Sequence, residues 1–176
     1  IPLVIYLCLN FKFRMKGDCL RIVVISDSHK RSDVIEKILY SQPDAQAVFF
    51  LGDCEADIEN MEFIFPDKKF YILSGNCDYY STYPSTAVAK VGDKKIFYTH
   101  GHTLSVKYGT SRLLEAAKQN DCQIALYGHT HVSNIVYEDG IYLVNPGSCS
   151  KGRDFHESYA IIDIEPNGIM PVIIKI

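Results

Sequence analysis

Two short stretches hold side chains of the types that bind metal ions. Ser26-Asp27-Ser28-His29 follows the apolar run LRIVVI, and Gly128-His129-Thr130-His131 follows QIALY. In each, two ligand-type residues stand at i and i+2. That spacing points both side chains the same way where the backbone is extended. Taken alone, a surface loop carrying two histidines reads the same. Three further runs end similarly: AVFFL in Gly52-Asp53, KFYIL in Ser74-Gly75-Asn76-Cys77-Asp78, and KKIFYT in His100-Gly101-His102. Five of the six histidines lie in these motifs, and only His156 falls outside them.

Imidazole and carboxylate together suit Zn, Fe, Mn or Ni, whereas oxygen ligands alone would suit Ca or Mg. Asp53 has two oxygens and could bridge two ions, and Asn76 adds a neutral carbonyl oxygen. The set is sufficient for two divalent ions about 3.5–4 Å apart, an arrangement used in phosphatases and nucleases. Two aspartates offset only part of the four positive charges, so such a site attracts phosphate.

The motifs need elements that bring them together. LRIVVIS and AVFFL read as buried strands rich in β-branched and aromatic residues, with KFYIL as a third. A helix is expected over Asp33–Tyr40, with Asp33 and Glu36 at capping-box spacing, and a shorter one over IENMEFIF, halted by Pro66. Alternation of this kind favours parallel strands. Further on, Gly92-Asp93, Asp139-Gly140 and Pro166-Asn167-Gly168 each divide two strand-like runs, as hairpins do. SRLLEAAKQN reads as an amphipathic helix. The expected fold is α/β: two mixed β-sheets packed face to face, flanked by helices. In open α/β sheets ligands bind beyond the carboxyl ends of the strands, where all five motifs sit.

The chain has 176 residues, 47% of them hydrophobic and 22% charged, which suits one domain with a substantial core. A net charge of −3 gives no general basic field for nucleic acid. Six cysteines without a C-x-x-C pair read as free thiols in a reducing compartment. The opening IPLVIYLCLN is too short for a membrane span, and its charges follow rather than precede the apolar run of a signal peptide. Residues 1–19 are expected to be an N-terminal extension, with Met15 a natural start, and 20–176 the domain. A cytoplasmic location follows, with no membrane partner.

In this order at strand ends, D-x-H, G-D, G-N-x-D, H-G-H and G-H-T-H resemble the calcineurin-like metallophosphoesterases, and more narrowly their small bacterial and archaeal phosphodiesterase branch. The resemblance runs from Arg21 to Ile176 and implies the four-layer αββα metallophosphoesterase fold. It also implies that Asp27, His29, Asp53 and His131 hold one metal and Asp53, Asn76, His100 and His129 the other, with a bridging hydroxide attacking phosphorus. Manganese is the favoured ion, with Fe, Zn or Ni as alternatives. Where many larger relatives have G-N-H-D, this chain has Cys77, a poorer acid at neutral pH. That departure favours diesters with acidic leaving groups. Asp78 is expected to orient a ligand histidine, and His102 either to touch substrate or to hydrogen-bond within its loop.

Asn145-Pro146-Gly147-Ser148 could offer amides or a hydroxyl to the site, or form a plain turn. Lys151 and Arg153 could meet a second phosphate substituent, or simply be solvated. Tyr79-Tyr80 could stack on an aromatic leaving group or pack. The expected partner is a small phosphate ester, with no nucleic acid; exposed hairpin edges allow a homodimer. Two rival readings remain: a scaffold like the small subunit of eukaryotic retromer, which has this same fold, and a nuclease.

Overall fold

Ile22, Val23, Val24 and Ile25 are all completely buried. Four consecutive buried residues in an extended chain require cover on both faces of a sheet. They belong to β1 (Leu20–Ile25), the first element of a computed structural model that describes residues 19–176. The start at Met15, and all of the expected extension but Cys19, fall on residues 1–18, outside the described residues. The elements that follow are α1 (Ser32–Ser41), β2 (Ala45–Phe50), α2 (Met61–Ile64), β3 (Lys69–Ile72), β4 (Thr86–Val91), β5 (Lys94–Thr99) and α3 (Ser111–Gln119). Then come β6 (Ile124–Leu126), β7 (Ser133–Glu138), β8 (Ile141–Pro146), β9 (Ser158–Glu165) and β10 (Gly168–Lys175).

Two five-stranded mixed sheets result, ordered β10-β9-β1-β2-β3 and β4-β5-β6-β8-β7. In the first, β1, β2 and β3 run parallel. In the second, β5, β6 and β8 do. The outer strands pair through the three hairpins that the turn residues indicated.

Side-chain alternation sorts the core into layers. Ile22 and Val24 of β1 and Phe49 of β2 meet Ile96, Tyr98, Ile124 and Val144 of the other sheet in one apolar cluster. From the opposite face of β1, Val23 and Ile25 pack on Val34, Ile35, Ile38 and Leu39 of α1. Phe97, Ala125 and Leu143 cover the helix face of Leu113, Leu114 and Ala117 in α3. Helix, sheet, sheet, helix is the four-layer order expected. It aims the carboxyl ends of six parallel strands, three per sheet, at one edge of the sandwich.

Two local expectations are corrected. The first helix begins at Ser32 with Arg31 at its N-cap, and no side chain caps it. Asp33 does not complete a capping box; its carboxylate is bound by Arg31 and Lys37. Those partners hold Asp33 at about 2, below the usual carboxylate range. In IENMEFIF only Met61–Ile64 is helical, with a 3-10 turn at Glu55–Asp57 before it.

Candidate metal centre

The ligand-type residues do not lie in extended backbone. Asp27, His29, Asp53, His129 and His131 all have positive φ, between 44° and 67°. The i, i+2 pairs therefore do not share one face of a straight strand, contrary to what their spacing predicts. Each strand ends first, and the chain turns sharply where the ligands begin. Left-handed backbone is sparse for residues with a Cβ, though least so for Asp, Asn and His, and it clusters at functional sites.

The turns nest closely, which is why glycine precedes so many of the ligands. A Cβ at Gly75 would overlap Asp53 Oδ1 and the Asp53 amide, and one at Gly128 would overlap Ser26 Oγ. Only a bare Cα lets these loops, within the first sheet at Gly75 and between the sheets at Gly128, approach so far.

Asp27, His29, Asp53 and His131 each offer a ligand atom, and those atoms all lie within 4.8 Å of one another. The Nε2 atoms of His29 and His131 are 3.2 Å apart. Asp27 Oδ1 stands 3.1 Å from His131 Nε2, yet this fully buried oxygen has no hydrogen-bond partner. A buried carboxylate oxygen without a donor, facing two imidazole nitrogens, is costly unless a cation sits among them. The donor set thus fits a divalent metal.

A second group adjoins it. His100 Nε2 lies 3.1 Å from Asn76 Oδ1 and 3.6 Å from Asp53 Oδ1. The His129 ring stands 5.1 Å from the His100 ring. Asp53 thereby faces both groups, with Oδ2 4.0 Å from His29 Nε2 and Oδ1 toward His100.

Hydrogen bonds behind the ligands fix their tautomers. His100 Nδ1 donates to the Leu51 carbonyl and His131 Nδ1 to that of Lys151. Both rings therefore present Nε2 to the cleft, the arrangement metal-binding histidines adopt. Burial lowers His29 and brings His129 down to about 4, where His100 and Lys107 add to the effect. These rings are neutral at neutral pH, with lone pairs available. His131 is raised by the Asp27 carboxylate at its Nε2. Burial works against the charge on Asp27, but His131, His100 and the Ser26 hydroxyl hold the group below its ordinary value.

The remaining expected residues take different places. Asp78 touches no ligand histidine: its two oxygens accept the amides of Asp53, Cys54, Glu55 and Gly75. It fixes the turn that carries Asp53. Cys77 lines the cleft. His102 does not line it; its ring stands 5.4 Å from that of His100, and its buried Nδ1 has no partner. Asn145 and Ser148 are buried behind the site. Asn145 donates to the Gly128 carbonyl and Thr130 hydroxyl, and Ser148 to the Asp27 carbonyl. Their segment is thus more than a plain turn, and it acts by holding ligand loops.

Two residues escaped the sequence reading. Asp57 accepts the Ser28 hydroxyl and the amides of Lys30 and Arg31, bracing the D-x-H turn. Lys107 lines the cleft, a cavity of about 270 Å³, together with Lys151 and Arg153. Neither had a motif to announce it, although H-G-H marked the loop on which Lys107 lies. Among the described residues no helix is long and apolar enough to cross a membrane.

A family model described as the calcineurin-like phosphoesterase superfamily domain matches residues 20–167. The chain is 25% identical over 148 residues to a probable metallophosphoesterase, YsnB, of Bacillus subtilis, covering 83% of this chain and 85% of that one. It is 28% identical over 137 residues to vacuolar protein sorting-associated protein 29 of Schizosaccharomyces pombe, covering 73% and 72%. Among solved structures it is similar to a conserved protein of Streptococcus pneumoniae described as a predicted phosphoesterase. The TM-score is 0.78 at 29% identity, over 91% of each chain.

Proposed function

Because the chain belongs to the calcineurin-like phosphoesterase superfamily, we propose that it hydrolyses phosphate diesters with the help of two divalent metal ions. The observation that carries this reading is the convergence of Asp27, His29, Asp53 and His131 within 4.8 Å, beside the contact of His100 with Asn76 at 3.1 Å. Asp27, His29, Asp53 and His131 would hold one ion, and Asp53, Asn76, His100 and His129 the other. Such ions, when bound, supply a nucleophile from water at neutral pH and stabilise charge on the phosphoryl oxygens. Manganese suits the mixed nitrogen and oxygen set, as do Fe, Zn and Ni.

The chain's own residues do the rest. Asp78 and Asp57 clamp the ligand turns through backbone amides, so the ligands need little reorganisation on binding. Cys77 at the cleft is a weak proton donor, which favours diesters whose leaving group departs without help. The substrate is a small phosphate ester, and the cleft of about 270 Å³ is of a size to take one.

A second reading is a protein-interaction module of the same fold, favoured by the similarity to vacuolar protein sorting-associated protein 29. Turnover, and not the presence of the metal-type donors, separates the two readings.

The test is hydrolysis of bis-p-nitrophenyl phosphate against p-nitrophenyl phosphate by protein stripped of metal and resupplied with Mn, with Asp53→Ala beside it. Mn-dependent diester cleavage, lost in the variant, is the expected result. Metal binding without turnover of either ester would favour the scaffold.

A further inference from the structure

Lys107, Lys151 and Arg153 line the same cleft as the ligands, and they come from two separate loops. Lys107 lies in the 3-10 turn at Val106–Tyr108, and Lys151 and Arg153 follow β8. They share that lining with His29, Asp53, Asn76, His129 and His131. The loop of Lys151 and Arg153 is strapped to His131, whose carbonyl accepts the Arg153 amide and whose ring donates to the Lys151 carbonyl. Cationic charge therefore reaches the cleft from both loops.

Among the described residues none of the three cations is in a salt bridge. The acids nearby have other partners. Asp78 accepts backbone amides with both oxygens, Asp57 accepts them with Oδ2, and Asp154 accepts Ser133 with Oδ2. Asp27 and Asp53 are the only acidic ligands, so two divalent ions leave the ligand cluster with an excess of two positive charges. A simple diester brings only one negative charge. Three more cations, all exposed to solvent, line the same cleft, and a simple diester leaves their charge unmatched.

We propose that the cleft is built for a phosphate ester that carries a second phosphoryl group, with Lys107, Lys151 and Arg153 as the specificity-determining residues that hold it. This inference rests on the phosphoesterase reading above. A terminal phosphate adds about −1.5 to −2 charges at neutral pH and three strong acceptor oxygens, which matches the unpaired donors. Arginine suits it through a planar fork, and the lysines through mobile point charges.

The test compares thymidine 5′-(p-nitrophenyl phosphate) with the same ester bearing a 3′-phosphate. Scissile bond and leaving group are identical, so only the second phosphate differs. The 3′-phosphorylated ester should show a kcat/KM about tenfold higher or more, as one or two charge-assisted hydrogen bonds would give. In a Lys107→Ala, Arg153→Ala double variant the ratio should fall toward one. Titration calorimetry of the Mn-loaded protein with thymidine 3′,5′-bisphosphate against thymidine 5′-phosphate should give the same preference without turnover. A ratio of one in the unaltered protein would overturn the proposal. So would a double variant that weakens both esters equally, since the cations would then grip the scissile phosphoryl itself. If neither ester turns over, the phosphoesterase reading fails, and the calorimetric difference still decides whether the second phosphate is bound.

Discussion

The Nε2 atoms of His29 and His131 face each other at 3.2 Å. His131 spends its Nδ1 hydrogen on the Lys151 carbonyl, so in the neutral ring the facing atom is a lone pair. Two such nitrogens at that distance, beside the unpartnered Asp27 Oδ1, form a pocket that either a shared proton or a cation must satisfy. A divalent ion should therefore stabilise the fold. At a concentration 100 times its Kd the gain is about 2.7 kcal/mol, a rise in Tm of about 5–10 °C for a chain of this size. Thermal melts with Mn and with chelator give the shift directly. His131→Ala should abolish most of it, and an undiminished shift in that variant would mean that the ion binds elsewhere.

Asp78 accepts four backbone amides across two turns, and through them it sets where Asp53 stands. Asp78→Ala strands those donors at once. It should cost about 2–4 kcal/mol of folding stability, as loss of charge-assisted bonds to buried amides does. Metal affinity should fall about 10–100-fold, the usual effect of removing a group that positions a ligand. Urea unfolding in chelator isolates the first effect, and metal titration of the folded variant isolates the second. Unchanged stability in chelator would show that the turn holds itself.

The fold was readable where burial left a pattern. Ile22–Ile25 and Val48–Leu51 are continuous apolar runs because sheets in this sandwich are covered on both faces, and each hairpin advertised its turn with Asn-Gly, Asp-Gly or Gly-Asp. The grouping of Asp27, His29, Asp53 and His131 was readable for a different reason: metal chemistry restricts the residue types, and parallel strands restrict where they appear. The left-handed backbone at five ligands was hidden, because none of them is glycine and residue type alone does not reveal φ. Asp33 misled through its spacing to Glu36; Arg31 and Lys37 compete for the carboxylate, and spacing does not count competitors. Lys107 stayed invisible, since a lysine in an irregular turn becomes informative only once the turn is placed beside His129.

Arg21 grips Asp163 across the β1–β9 pair with two hydrogen bonds of 2.8 Å. The guanidinium holds the Asp163 carboxyl below its ordinary value, against the opposing effect of burial. A group whose folded pKa is depressed stabilises the protein above its unfolded pKa of about 3.9 and loses that contribution as pH falls through the folded value. Since Arg21 is partly exposed, the pair is worth about 0.5–1 kcal/mol. Asp163→Asn should cost that much at pH 7 and less at pH 3. Urea unfolding at the two pH values would refute the linkage if it returned equal differences.

Cys77 lines the cleft beside Asn76, whose Nδ2 points at its sulfur. Lost solvation and the neighbouring Asp53 carboxylate push the thiol up to about 11, so it remains protonated at neutral pH but gives up its proton reluctantly. Donation to a leaving oxygen is most effective when the donor's pKa lies near the working pH, and a well-placed acid is worth about 10²–10⁴ in rate. Cleavage should accordingly fall steeply from p-nitrophenyl to alkyl leaving groups. In Cys77→His an imidazole near neutrality replaces the thiol, and that slope should flatten. The alkyl ester should gain about tenfold or more while the p-nitrophenyl ester barely moves, and a new alkaline decline in kcat should mark loss of the acid form. Metal binding followed in parallel checks that Asn76 and Asp53 have kept their places. Equal slopes in the two proteins, with metal affinity intact, would mean that position 77 takes no part in proton transfer.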